Sequence, residues 1–168
     1  NVPTEYLLDT NEFLVWNVKH FFSENLNSKI NWEDKAINDS VTYSLTGTSY
    51  RCLVANNRVH FELKDAQQLG EIKKSNHYAY LDADKLEWPL IYRTWQHSDY
   101  FYPLGLRKKK KLNHFLSAQK LSPALKEKVG VITMGDKLLW VVGHRIDDRF
   151  KITLTTKNIL VISALDKS

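Results

Sequence analysis

Arg93 to Lys111 reads R-T-W-Q-H-S-D-Y-F-Y-P-L-G-L-R-K-K-K-K, where a run of aromatic residues passes through Pro103, Leu104 and Gly105 into five consecutive cations. Just upstream, Leu90 to Trp95 is rich in aromatic and β-branched residues and reads as a strand, with Pro89 marking its start. Just downstream, Leu112, Phe115, Leu116 and Gln119 share one helical face, which predicts a helix over Leu112–Leu121. The cations are therefore held inside a folded segment and are not a tail. Strands before the run, two short helices after it and then more strands indicate an α+β domain. Arg107, Lys108, Lys109, Lys110 and Lys111 repel one another, a penalty relieved when phosphates neutralise them, so one reading is polyanion binding. The other is a solvated basic loop.

Working outward toward the C-terminus, Ser122-Pro123 starts a second short helix, Ser as N-cap and Pro at the first helical position. Val129–Thr133 and Lys137–Val142 read as strands around Gly135-Asp136, and a charged loop from Gly143 to Lys151 precedes a last strand, Asn158–Ile162. Toward the N-terminus, Tyr78–Leu81 is strand-like. Tyr50–Ala55 and Arg58–Leu63 form a hairpin around Asn56-Asn57, because asparagine tolerates the positive φ of a two-residue turn. The polar stretch Asn25 to Gly47 reads as a connector or a short helix. Thr10 is an N-cap for a helix carrying Phe13, Leu14, Val18, Phe21 and Phe22 up to Ser23. Two parts result: residues 1–46, a helical segment and connector ending a preceding domain, and residues 47–168, a C-terminal α+β domain with a small mixed β-sheet and two short helices.

Composition narrows the function. The 168 residues are 43% hydrophobic with seven Phe, eight Tyr and five Trp, enough to fill a core. The net charge of +5 equals the charge of the Arg107–Lys111 run, so the basicity is local. A single cysteine, Cys52, forms no internal disulfide, fits a reducing cytoplasm and reads as a small core residue. No stretch approaches the roughly 20 apolar residues of a membrane span. With no signal segment, a cytoplasmic protein without a membrane partner is expected. The sequence lacks an initiator methionine, which suggests a piece of a longer protein.

The six glycines are too dispersed for a phosphate-binding loop, and the six histidines show no paired ligand spacing, so neither a nucleotide nor a metal site is expected. Asp147-Asp148 is flanked by Arg145, Arg149 and Lys151, which favours ion pairing over acid–base catalysis. Those three cations follow the apolar strand Leu138–Val142, whose fixed end suits phosphate recognition; internal pairing with Asp147 and Asp148 is the competing reading.

Together the two segments closely resemble the C-terminal region of bacterial tRNA(Ile)-lysidine synthetase. The resemblance rests on Arg93, Asp99, Phe101, Pro103-Leu104-Gly105, Lys109-Lys110-Lys111-Leu112 and Phe115, then on Gly143, Arg145-Ile146, Arg149-Phe150-Lys151 and Thr153. It is strong over Arg93–Ile162, loose over Thr46–Leu63, and a matter of character only before that. Ser98, Lys108 and Asn113-His114 depart from the family pattern, which usually has Gly, often Gly, and Ser-Asp there; the two missing glycines imply a loop needing less positive φ.

What the resemblance implies is specific. The family ligates lysine to the wobble cytidine of tRNA(Ile) bearing a CAU anticodon. Its N-terminal catalytic domain uses ATP, with magnesium, through a Ser-Gly-Gly-x-Asp-Ser loop that this chain does not contain. Its C-terminal domains grip the tRNA body and acceptor stem, the last of them resembling a domain of the phenylalanyl-tRNA synthetase β subunit. The chain is then expected to have no catalytic residue and no cofactor of its own, its partners being tRNA(Ile) and its own N-terminal catalytic domain, with a homodimer left open. RNA contact is assigned to Arg107, Lys108, Lys109, Lys110 and Lys111 first, then to Arg145, Arg149, Lys151 and Arg93, with Tyr100 or Tyr102 as stacking surfaces or core residues. The competing class is a protein-interaction or self-association module whose basic loop is merely solvated.

Overall fold

A computed structural model describes residues 12–15, 43–46, 49–54, 57–87 and 90–165. The chain divides into two units, one of Asn1–Val15 with Glu87–Lys151, the other of Trp16–Leu86 with Ile152–Ser168.

The second unit is built on a five-stranded antiparallel sheet. Its strands are β2 (Tyr43–Thr46), β3 (Ser49–Val54), β4 (Asn57–Asp65), β5 (Tyr78–Asp82) and β11 (Asn158–Leu165), in the order β2-β3-β4-β11-β5. The expected hairpin is there, but Val54 pairs with Asn57, so its connection falls at residues 55–56, one position earlier than Asn56-Asn57. Strand β11 pairs with β4 and β5 and so has neighbours on both sides. Ile159, Leu160 and Ile162 of β11 are buried, the near-continuous apolar pattern of an interior strand. The Asp84 carboxylate accepts hydrogen bonds from Lys157 N at 2.6 Å and Asn158 N at 3.1 Å, which fixes where β11 begins.

The first unit holds the basic run. Its four-stranded antiparallel sheet runs β1 (Glu12–Val15), β6 (Leu90–Thr94), β9 (Gly130–Met134), β10 (Lys137–Val141) in that order. Glu12–Val15 is a strand paired with β6, where the spacing of Phe13 and Leu14 predicted helix. Four residues of this composition suit either state, and the hydrogen bonds offered by β6 decide it. The rest of that expected helix, to Ser23, lies outside the described residues, as does most of the Asn25–Gly47 connector.

Two short helices follow the basic run, as expected. The first, α1, spans Leu112–Ser117 and buries Leu112, Phe115 and Leu116. It stops before the predicted Leu121, and Lys120 has turned into the left-handed region with φ 56. The second, α2, spans Pro123–Glu127, with the Ser122 hydroxyl accepting from Leu125 N at 3.3 Å. Around α1 the core gathers Phe101, Leu112, Phe115, Leu116, Val129, Val131, Leu138 and Val141. Gly130 is required here because a Cβ at that position would run into the phenol end of buried Tyr92.

Strand β10 is buried at all four of Leu138, Leu139, Trp140 and Val141. Its register against β9 shifts between Leu138 and Trp140, a bulge that breaks the alternation of inward and outward side chains. Trp140 and Phe115 are fully or nearly fully buried, while Val142 and Ile146 are half-buried.

Candidate nucleic-acid interface

The free edge of β10 carries the site. Asp147 N donates to Leu139 O at 2.8 Å and Val141 N donates to Arg145 O at 3.0 Å, so the 145–147 segment lies along that edge. On the segment's other side, Leu104 N donates to Ile146 O at 3.0 Å and Asp148 N donates to Tyr102 O at 2.7 Å. Two stretches more than forty positions apart, around Tyr102–Leu104 and around Ile146–Asp148, are thus locked side by side through their backbones. Strand β7 (Tyr100–Phe101) continues from this lattice and pairs with β8 (Lys110–Lys111), Tyr100 opposite Lys111 and Phe101 opposite Lys110. Lys110 and Lys111 are therefore the return strand of a hairpin whose outgoing side is pinned to the sheet, and Arg107–Lys109 lie in the connection that leads into it.

Its turn is tight. Leu106 N donates to Pro103 O at 3.0 Å, and Gly105, third of the four turn residues, has φ 90, a position where glycine is favoured. Arg107 follows at φ 49. Ser98 and Lys108, the two positions where the family pattern has glycine, do not take a positive φ, in line with the expectation; the left-handed region is entered at Gly105 and Arg107.

Asp147 and Asp148 are the pins. The Asp147 carboxylate is 0% exposed; it accepts from Tyr102 N at 3.0 Å, from Arg149 N at 2.9 Å, and from the Arg149 guanidinium through Nε at 2.9 Å and Nη2 at 3.0 Å. The Asp148 carboxylate is held below its ordinary value mainly by the Gly105 N–H, with help from Lys151 at 3.4 Å. The pairing reading of these carboxylates is the one the geometry adopts.

The cations then fall into two groups. Arg93 makes a bidentate pair with Asp99 at 2.7 and 2.8 Å, and the Asp99 carbonyl accepts from Leu112 N, the first residue of α1. Arg149 is held by Asp147, whose hydrogen bonds raise its pKa, and its guanidinium lies 4.4 Å from the centre of the Tyr102 ring. These two position the hairpin. By contrast Arg107, Lys108, Lys109 and Lys111 are exposed and Lys110 half-buried, and none of the five is ion-paired among the described residues. Arg145 is exposed as well, 5.7 Å from the centre of the Phe115 ring, with Lys110 Nζ at 5.9 Å from the same centre. Burial holds neighbouring His144, set edge-on to Phe115 at 6.2 Å, below its ordinary pKa, so the imidazole is neutral near pH 7 and adds no cation here.

Tyr100 and Tyr102 meet edge to face at 6.5 Å. Lys109 Nζ sits 3.8 Å from the centre of the Tyr100 ring, so each tyrosine has one face covered by a cation. No cluster of three or more His, Cys, Asp or Glu able to hold a metal occurs among the described residues. No helix among them is long and apolar enough to cross a membrane. The Arg93–Asp99 pair and the bond from Tyr102 N to Asp147 are what sequence reasoning missed, whereas the ion pairing of Asp147 was expected.

A family model described as TilS substrate C-terminal domain matches residues 90–163. A tRNA(Ile)-lysidine synthase of Parabacteroides distasonis is 44% identical over 94 residues, covering 56% of this chain and 22% of that protein. The enzyme of Bacteroides thetaiotaomicron is 38% identical over 90 residues, 54% of this chain and 21% of that protein. The chain spans about a fifth of the length of these relatives. A crystal structure of a TilS C-terminal domain superposes with a TM-score of 0.59 at 16% identity, covering 67% of this chain and 85% of that one. The fold is shared.

Proposed function

We propose, from the match of residues 90–163 to the TilS substrate C-terminal domain model and the similarity to tRNA(Ile)-lysidine synthases, that the chain is a C-terminal portion of such a synthase and grips tRNA(Ile) by its body and acceptor stem. It would hold the tRNA for ATP-dependent ligation of lysine to the wobble cytidine of the CAU anticodon, performed in the cytoplasm by a catalytic domain of the same protein. The loop that the resemblance assigns to ATP is not in these 168 residues, so ATP, magnesium and lysine belong to that other domain in this reading.

One observation carries the proposal: Arg107–Lys111 presents five cations without ion pairs among the described residues, on a hairpin whose other side is fixed by backbone hydrogen bonds. A-form RNA has a narrow, deep major groove, so a protein reads chiefly its phosphates and 2′-hydroxyls. Fixed cations suit phosphates because little side-chain and loop ordering remains to be done on binding. Arg145 is the next contact, and Lys151 a secondary one because Asp148 already shares it. Arg93 and Arg149 contribute by holding the hairpin.

The test is a salt series. If each of the five cations neutralises one phosphate, the slope of log affinity against log salt is about −3.5 to −4.5, a loss of roughly a hundred- to five-hundredfold between about 50 and about 200 mM salt. Lys109→Ala/Lys110→Ala/Lys111→Ala flattens that slope by about 2 to 3 units. The thermal midpoint barely moves, since none of the three lysines is fully buried. An unchanged slope would reduce the run to a solvated face, and the RNA-gripping role would pass to Arg145, Arg149 and Lys151 or be abandoned.

A further inference from the structure

We propose that the tip of the β7–β8 hairpin caps the open end of an RNA helix, with Leu104 and Leu106 lying against the terminal base pair while the cations of the return side hold the bordering phosphates. This rests on the RNA-gripping reading and deepens it.

Six large hydrophobic residues are exposed among the described ones, and three of them, Tyr100 at 37%, Leu104 at 40% and Leu106 at 48%, fall within seven positions. That stretch leads directly into the five cations. The leucines are not loose. Leu104 N is bonded to Ile146 O, Leu106 N to Pro103 O and Gly105 N to the Asp148 carboxylate at 3.3 Å, and Pro103 just before them is buried and bridged to Asp147. A turn whose backbone groups are satisfied this way has no folding reason to hold two leucines in water. Arg107 sits beyond it in the left-handed region, a backbone outlier of the kind that collects at ligand-contacting loops.

Apolar side chains beside closely spaced cations call for a ligand that is apolar in one place and anionic around it. The end of an RNA helix has that layout, a flat base-pair face bordered by phosphates. Leucine already serves nucleic-acid binders as a wedge against base steps. Along the body of an A-form helix the bases are stacked on one another and the major groove is too narrow for side chains, so the open end is where a rigid leucine pair finds a base-pair face.

Two RNA probes separate the possibilities: a short blunt-ended duplex, and the same duplex closed by a loop at each end. The natural protein prefers the open duplex, and Leu104→Ser/Leu106→Ser loses about tenfold on it while changing little on the closed one. The salt slope stays the same in both proteins, because an apolar contact releases no counterions. A 2-aminopurine in the terminal pair responds to the natural protein and not to the variant. Should the double variant melt early, Leu106→Ser alone carries the same comparison. Equal affinity of the natural protein for the two duplexes, or an equal loss on both by the variant, overturns the capping. So does a variant that keeps its RNA binding but no longer binds phosphatidylserine vesicles, which would assign the leucines to a lipid surface. If the natural protein binds neither duplex, the RNA-gripping reading falls; if it binds both alike with a steep slope, only the capping falls.

Discussion

Asp147 shows how one carboxylate organises this surface. Its two oxygens receive four N–H groups, two from the backbone and two from Arg149, and water does not reach them. Removing the acceptor leaves the Tyr102 and Arg149 N–H groups unpaired and strips the guanidinium of its partner. Asp147→Ala therefore costs about 3 kcal/mol, at the low end of the range for breaking a buried pair because Arg149 is itself partly exposed. A shift of the urea midpoint at unchanged m-value measures it. A loss below about 0.5 kcal/mol, the usual size of a surface change, would show that the pin is not structural. Arg93 and Asp99 repeat the logic from the other side, joining the end of β6 to the start of α1.

The hairpin is an element in which charge and backbone conformation can be separated. Arg107 holds a left-handed φ that costs a side-chain-bearing residue roughly 1–2 kcal/mol, part of which glycine recovers at the expense of its own entropy. Arg107→Gly accordingly leaves stability unchanged or raises it by up to about 1 kcal/mol, while reducing the salt slope of tRNA binding by about one contact, 0.7 to 0.9. A lowered thermal midpoint would mean that the arginine side chain packs as well as projects.

The whole molecule divides the labour proposed for it. It covers about a fifth of the related synthases, and its sequence lacks the ATP loop the resemblance assigns to catalysis. On the proposed function the 168-residue chain binds tRNA(Ile) but gives no ATP-dependent incorporation of radiolabelled lysine into it. Robust incorporation by this chain alone would place chemistry where none is proposed.

Local signals in the sequence determined several parts of this protein. Ser122-Pro123 fixed where a helix starts, since a hydroxyl acceptor and a ring without an N–H suit a helix N-terminus and little else. The aromatic and β-branched runs fixed β6, β9 and β11 to within a few residues at their ends. The unbroken cations of Arg107–Lys111 were legible as an exposed run, because five like charges cannot be buried without partners. Only the tertiary structure decided which of the other cations are occupied. In sequence, Arg149 with Asp147 and Arg93 with Asp99 could be binding groups or internal pairs; the choice depends on the edge of β10 bringing the 145–148 segment against Tyr102–Leu104, a contact across more than forty positions. The strand at Glu12–Val15 was likewise decided by its partner β6, since hydrogen bonds from a distant segment outweigh the weak preference of four residues.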